Sequence, residues 1–158
     1  MRLILETFSA CETRVLGQKI GAFMPSDTVI AARGGLGMGK TVFAQGLALG
    51  LGISVPVVSP TYIYIQEYPG RFPFCHIDAY RMEQLEEEEI EQLGINDCFL
   101  SGKTAYVEWP EFIYPFLPKD AIQLQFSALP EQPDTRQLLF CFGEEEQSWL
   151  KAALGEPS

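Results

Sequence analysis

Positive charge is scarce in this sequence: 11 Lys and Arg stand against 21 Asp and Glu, a formal net charge of −10. Holding nucleic acid unaided takes a basic face that displaces counterions from phosphates. Direct, stand-alone nucleic-acid binding is therefore not expected, nor is docking to an anionic membrane. Histidine is scarcer still, with one residue, and the four cysteines (Cys11, Cys75, Cys98, Cys141) form no Cys-x-x-Cys pair, which disfavours a zinc site. No stretch approaches the roughly 18 apolar residues of a membrane span. The first twelve residues carry one Arg and an acid at Glu6 and do not read as a signal peptide. The chain is expected to be cytoplasmic, with reduced thiols. Internal repeats, low-complexity tracts and clear linkers are missing as well.

What is present suffices for a core. Hydrophobic residues make up 47% of the 158, and a single domain over 1–158 is predicted. Residues 2–8 read as a strand. Ser9 and Glu12 have capping-box spacing, and Val15, Leu16, Ile20 and Phe23 form a helical stripe. A turn at Pro25-Ser26-Asp27 leads to a strand over 28–32, a glycine-rich loop and a helix over 40–51. Strands are predicted over 62–68, 74–77 and 104–107, with a helix over 83–93 between the last two. Strands over 121–126 and 136–142 and a helix over 145–154 complete the chain. Alternating strands and helices imply an α/β fold with a central, mostly parallel sheet, to which the late strands add an antiparallel edge.

The segment Gly34-Gly35-Leu36-Gly37-Met38-Gly39-Lys40-Thr41 matches the phosphate-binding loop pattern, between a predicted strand and a predicted helix. Glycines let backbone N–H groups turn inward around a phosphate, and the helix that follows aims its positive end at the same anion. Lys40 supplies a mobile cation for the β- and γ-phosphates, and the Thr41 hydroxyl is placed to ligate Mg²⁺. Such a site also needs an acid at the end of an apolar strand. Asp78 and Glu108 both qualify, because carboxyl ends of parallel strands gather on the loop side; the plainer role for either is capping the next turn. Thr61, within Ser59-Pro60-Thr61-Tyr62, suits a switch element that senses a γ-phosphate, or a plain turn. His76 reads as structural, Trp109 as a packed anchor, and Arg33 and Arg81 as phosphate partners or surface cations.

Taken in order, five blocks resemble the TsaE (YjeE) family, P-loop ATPases of bacterial tRNA threonylcarbamoyladenosine biosynthesis. They are the phosphate loop itself, Ser59-Pro60-Thr61-Tyr62, His76-Ile77-Asp78-Ala79-Tyr80-Arg81, Leu93-Gly94-Ile95 and Glu108-Trp109-Pro110-Glu111. Weaker matches lie at Glu12-Thr13 and Arg136. The resemblance implies a P-loop NTPase-like three-layer domain that hydrolyses ATP to ADP and phosphate with Mg²⁺, and works with TsaB and TsaD, the latter transferring the threonylcarbamoyl group. It implies that Gly35, Leu36, Gly37, Met38, Gly39 and Lys40 hold phosphates. Thr41, Asp78 and Glu108 would form the metal shell, with Lys40, Thr61, Asp78 and Glu108 as catalytic residues. Thr13 would lie near the adenine and Arg136 at the nucleotide's edge. The chain departs from the family at Gly35, where an acid is usual, and at Met38, where Ala is usual; neither side chain is needed for backbone phosphate binding.

Two other functions fit the residues: a small-molecule or nucleotide kinase, and a nucleotide-dependent binding switch with negligible hydrolysis. A kinase would normally bring an Arg-bearing lid, and no Arg cluster is present. A GTPase would carry an Asn-Lys-x-Asp signature, which is absent. The acidic excess is partly local: Glu83, Glu86, Glu87, Glu88, Glu89, Glu91 and Asp97 fall together without a Lys or Arg. That run is either a solvated helix face or an acidic docking surface.

Overall fold

The computed structural model describes residues 1–58 and 64–156. Its framework is one seven-stranded sheet, formed by β1 (Arg2–Thr7), β2 (Val29–Arg33), β3 (Ile65–Tyr68), β4 (Phe74–Asp78), β5 (Thr104–Glu108), β6 (Ile122–Leu129) and β7 (Gln132–Cys141). The order across the sheet is β1-β7-β6-β2-β5-β4-β3. Strands β6, β2, β5 and β4 run parallel, whereas β1 pairs antiparallel with β7, β7 with β6, and β3 with β4. The expected antiparallel edge is present on the β7 side, and β3 adds a second, unexpected one at the other end. Strand β6 departs from the expectation: it joins the parallel core beside β2, and only β7 reverses. A strand's own residues fix its faces but not the direction of its neighbour.

Among the described residues four α-helices accompany the sheet: α1 (Ala10–Phe23), α2 (Lys40–Gly50), α3 (Glu87–Gln92) and α4 (Glu144–Leu154). One core, including Ile30, Phe43, Leu47, Tyr106, Phe126, Phe140 and Leu150, lies on the face covered by α1, α2 and α4. The second holds Cys75, Ile77, Ile90, Ala105, Val107 and Ile113 on the opposite face, under α3 and short 3-10 turns. The result is three layers. No helix among the described residues is long and apolar enough to cross a membrane.

Ser9 caps α1 as the spacing predicts: its Oγ accepts from the Glu12 N–H at 3.1 Å, and the Glu12 carboxylate accepts from the Phe8 N–H at 2.7 Å. The predicted stripe, however, is rotated. Val15 and Phe23 are exposed, and the buried line is Thr13, Gly17, Ile20 and Gly21. The cause is the closeness of α1 to α2. A Cβ on Gly17 or Gly21 would run into the carbonyl oxygens of Phe43 and Leu47, and one on Gly46 or Gly50 into those of Arg14 and Gln18. Backbone against backbone displaces the large side chains to the rim. Arg71, in the turn between β3 and β4, ties the two helix ends by donating to the carbonyls of Gly21, Met24 and Gly50 at 3.0, 2.8 and 3.2 Å.

The predicted helix over 83–93 is two pieces, a 3-10 turn (Tyr80–Gln84) and α3. Leu85 is extended between them, and Glu86 and Glu89 form a fresh capping box for α3. A consecutive acidic run supplies both cap positions, so the helix restarts rather than continues.

Candidate functional site

Strand β2 ends in the centre of the sheet with β5 on one side and β6 on the other, and the glycine-rich loop leaves from this point. Gly34 has φ 149°, where a Cβ would also strike the Phe126 side chain, and Gly39, the residue capping α2, has φ 102°. Both conformations are open to glycine at little cost. With no side chain at the cap, the first-turn N–H groups of α2 have no side-chain cap and are left for a ligand. The loop and the first turn of α2 form one wall of a cleft of about 510 Å³.

Lys40 is buried in that wall. Its ammonium donates to the carbonyl oxygens of Gly34 and, at 3.3 Å, of Gly35, and stands 3.8 Å from the centre of the Trp109 ring. Burial lowers its pKa from 10.5, with the carboxylates of Glu108, Glu111 and Asp78 pulling the other way. The Lys40 carbonyl accepts from the buried Tyr106 hydroxyl at 2.7 Å. Burial first, and Glu108 second, push the Tyr106 pKa well above 10.0, so this group remains a donor that fastens α2 to β5.

Alternation along β4 and β5 sends Phe74, His76 and Asp78, and likewise Thr104, Tyr106 and Glu108, to the α2 face. Asp78 and Glu108 are register partners on neighbouring parallel strands. Glu108 is 3% exposed, and its carboxylate accepts from the Thr41 hydroxyl at 3.0 and 3.2 Å. Its Oε2 lies 2.6 Å from Nε2 of the fully buried His76. A carboxylate only accepts, so this ring nitrogen carries the hydrogen. His76 Nδ1 is buried without a partner among the described residues. The Asp78 carboxylate accepts from the Tyr80 N–H at 3.0 Å and lines the cleft. Trp109, at φ 58°, turns the chain sharply out of β5; its ring packs on Tyr80 and Phe112 with centroids 5.0 and 6.2 Å away.

Thr13 and Arg136 also line the cleft, beside the loop. The buried Thr13 hydroxyl bonds that of Thr7 at 2.7 Å and donates to the Ser9 carbonyl at 3.2 Å. Arg136 donates to the carbonyls of Pro133, Thr135 and, at 3.4 Å, Gly37.

The cleft thus brings together Thr13, Leu36, Gly37, Met38, Gly39, Lys40, Thr41, Asp78, Glu108 and Arg136. Gly35 contributes its carbonyl to Lys40 but does not line the space. Thr61 lies outside the described residues. Sequence reasoning passed over Phe8, Ser9, Ala10, Val42 and Asp134 as wall residues and Tyr106 as a support, whereas His76 has the structural role expected of it, held against Glu108. His76-x-Asp78 and Tyr106-x-Glu108 share the two-residue period of a strand, and that spacing alone points both supports at the same face.

Comparison with known proteins gives a consistent answer. The family model described as threonylcarbamoyl adenosine biosynthesis protein TsaE matches residues 7–138. The tRNA threonylcarbamoyladenosine biosynthesis protein TsaE of Bacillus subtilis is 37% identical over 130 residues, covering 82% of this chain and 78% of the relative. That of Treponema pallidum is 32% identical over 123 residues, covering 78% and 90%. The crystal structure of Bacillus subtilis YdiB superposes with a TM-score of 0.75 at 26% identity, over 98% of this chain and 95% of that one.

Proposed function

The chain belongs to the TsaE family of tRNA threonylcarbamoyladenosine biosynthesis, and from that premise we propose that it is a Mg²⁺-dependent cytoplasmic ATPase that resets a TsaB–TsaD complex. One observation carries the reading. Lys40 and Thr41 open α2 directly opposite Asp78 and Glu108, at the carboxyl ends of adjacent parallel strands.

The residues suit both ligands. The cleft volume of about 510 Å³ is within the usual range for a small-molecule site, and uncapped N–H groups face it for phosphate. The donor set of one hydroxyl and two carboxylates is all oxygen, which matches Mg²⁺; that ion is usually held by one or two carboxylates plus substrate phosphates. Among the described residues no group of three His, Cys, Asp or Glu is placed to hold a metal alone, so in this reading nucleotide and ion bind together. When bound, the ion neutralises charge on the β- and γ-phosphates.

In this reading Lys40 leaves the loop carbonyls to reach the β- and γ-phosphates. Thr41 and Glu108 orient the metal shell, and Asp78 joins it. His76 keeps the Glu108 carboxylate turned toward Thr41, while Thr61 senses the γ-phosphate. Thr13 and Arg136 bound the nucleoside end. A water oxygen attacks the γ-phosphorus, the bond to the β–γ bridging oxygen breaks, and ADP, phosphate and a proton leave. Catalysis is positioning and electrostatics, and among the described residues no side chain at the cleft is an evident general base, so slow turnover is expected of the chain alone.

The test is phosphate release from ATP with and without the TsaB and TsaD homologues, in the presence and absence of Mg²⁺. Slow, Mg²⁺-dependent release that accelerates with the partners is expected. Absence of release in every combination would overturn the assignment.

A further inference from the structure

Strand β1 ends the sheet, paired with β7 on one side and, among the described residues, with nothing on the other. Open edges are templates for another strand, and proteins normally blunt them with proline, bulges or inward charges. This edge has no proline or bulge over Arg2-Leu3-Ile4-Leu5-Glu6, and its two charges, Arg2 and Glu6, are exposed and opposite in sign. Arg2, Ile4 and Glu6 are exposed, Ile4 at 58%, while Leu3 and Leu5 are half-buried against the first core. A groove of about 290 Å³, lined by Leu5, Val15, Leu16 and Leu154 together with Glu6, Glu12 and Lys19, runs beside it.

The segment is complementary to itself. Two copies of one strand can pair antiparallel only about a two-fold axis normal to the sheet. That axis preserves faces, so each residue must oppose one of its own parity. Three such registers keep most of the strand paired. Centred on Leu3, Arg2 opposes Ile4; centred on Leu5, Glu6 opposes Ile4; both strand a charge on an apolar partner. Centred on Ile4, Arg2 opposes Glu6 twice, Leu3 opposes Leu5 twice, and Ile4 meets Ile4. Every cross-strand pair is then favourable.

We propose that the β1 edge is a homodimer interface, in which a second copy of this chain adds its own β1 antiparallel in the Ile4-centred register and makes one continuous fourteen-stranded sheet. The carboxyl end of β1 leads to Phe8 and Ser9 at the cleft. An antiparallel pair therefore puts the two clefts at opposite borders of the joint sheet, both open. The interface stands independently of the ATPase reading. Each copy carries −10, and this repulsion opposes association at low salt, so physiological ionic strength, with a Debye length of about 8 Å, is the condition to use.

Sedimentation equilibrium of the purified chain, at concentrations up to about 1 mM, where even weak contacts register, tests the interface. The wild type is expected to show a monomer–dimer equilibrium. Arg2→Glu and Glu6→Arg each create two like-charge pairs and should weaken dimerisation roughly tenfold. The double variant Arg2→Glu/Glu6→Arg restores both pairs and should recover wild-type association. Ile4→Asp sets two carboxylates face to face and should abolish it. All three side chains are exposed in the protomer, and unchanged circular dichroism verifies folding; should one single swap misfold, the other and Ile4→Asp carry the test. A wild type that stays monomeric throughout, single swaps without effect, or a double swap that fails to restore the dimer would each overturn the proposal.

Discussion

A carboxylate buried as deeply as that of Glu108 is tolerable only with donors around it, and Thr41 and His76 provide them. Removing one donor leaves the charge under-satisfied. His76→Ala should therefore cost about 1–3 kcal/mol in urea denaturation. It should also raise the Mg²⁺ concentration needed for nucleotide binding, because Glu108 is no longer held toward Thr41. His76→Gln, whose amide N–H reaches a similar position, should recover part of the Mg²⁺ dependence; equal loss in both variants would reduce His76 to a packing residue. Lys40 gives a prediction with a sign. Burial holds its pKa below 10.5 although Glu108, Glu111 and Asp78 favour the charged form. Between the lowered value and 10.5 the unfolded chain binds more protons than the folded one, so stability rises with pH across that window. Lys40→Met lacks this rise, and the wild type should gain on the variant as pH approaches 10.5. A constant difference across the window would contradict the burial of a charged Lys40. At this scale the sequence was informative where chemistry comes with fixed spacing, as in Gly39-Lys40-Thr41. It was silent on Tyr106, whose role depends on which strand stands beside which helix.

Helices α1 and α2 explain why the phosphate loop is held where it is. Their contact rests on Gly17, Gly21, Gly46 and Gly50, none of which has room for a Cβ. Gly46→Ala pushes a methyl group into the Arg14 carbonyl, and a loss of about 1–3 kcal/mol is expected from denaturant unfolding. A helix-propensity gain of about 1 kcal/mol for Ala over Gly would appear instead if the helices were free to separate. The four-residue spacing of these glycines is visible in the sequence, yet a reading based on large apolar residues selected Val15 and Phe23, which are exposed. Small residues bury as much backbone as large ones bury side chain, and hydrophobic periodicity does not register it. Elements with local signals, such as the Ser9 cap of α1 and the strands ending at Asp78 and Glu108, were legible. The direction of β6 and the break at Leu85 depended on partners distant in the chain or on competing caps.

On the scale of the molecule, the parallel core β6-β2-β5-β4 directs one end of the sheet at the cleft, and the net charge of −10 sets the character of the remaining surface. The proposed function, in a chain this acidic, divides the labour: partners would hold the tRNA and this chain would handle the nucleotide. The purified protein should accordingly leave the electrophoretic mobility of tRNA unchanged at physiological salt, whereas a shift by the chain alone would contradict this division. The central claim is that the loop at 34–41 binds ATP with Mg²⁺ through Lys40 and the carboxylates facing it. Isothermal titration calorimetry of the wild type and Lys40→Ala with ATP and Mg²⁺ tests it most directly. Saturable binding by the wild type and none measurable for the variant are expected; normal affinity in Lys40→Ala would contradict the assignment of the loop.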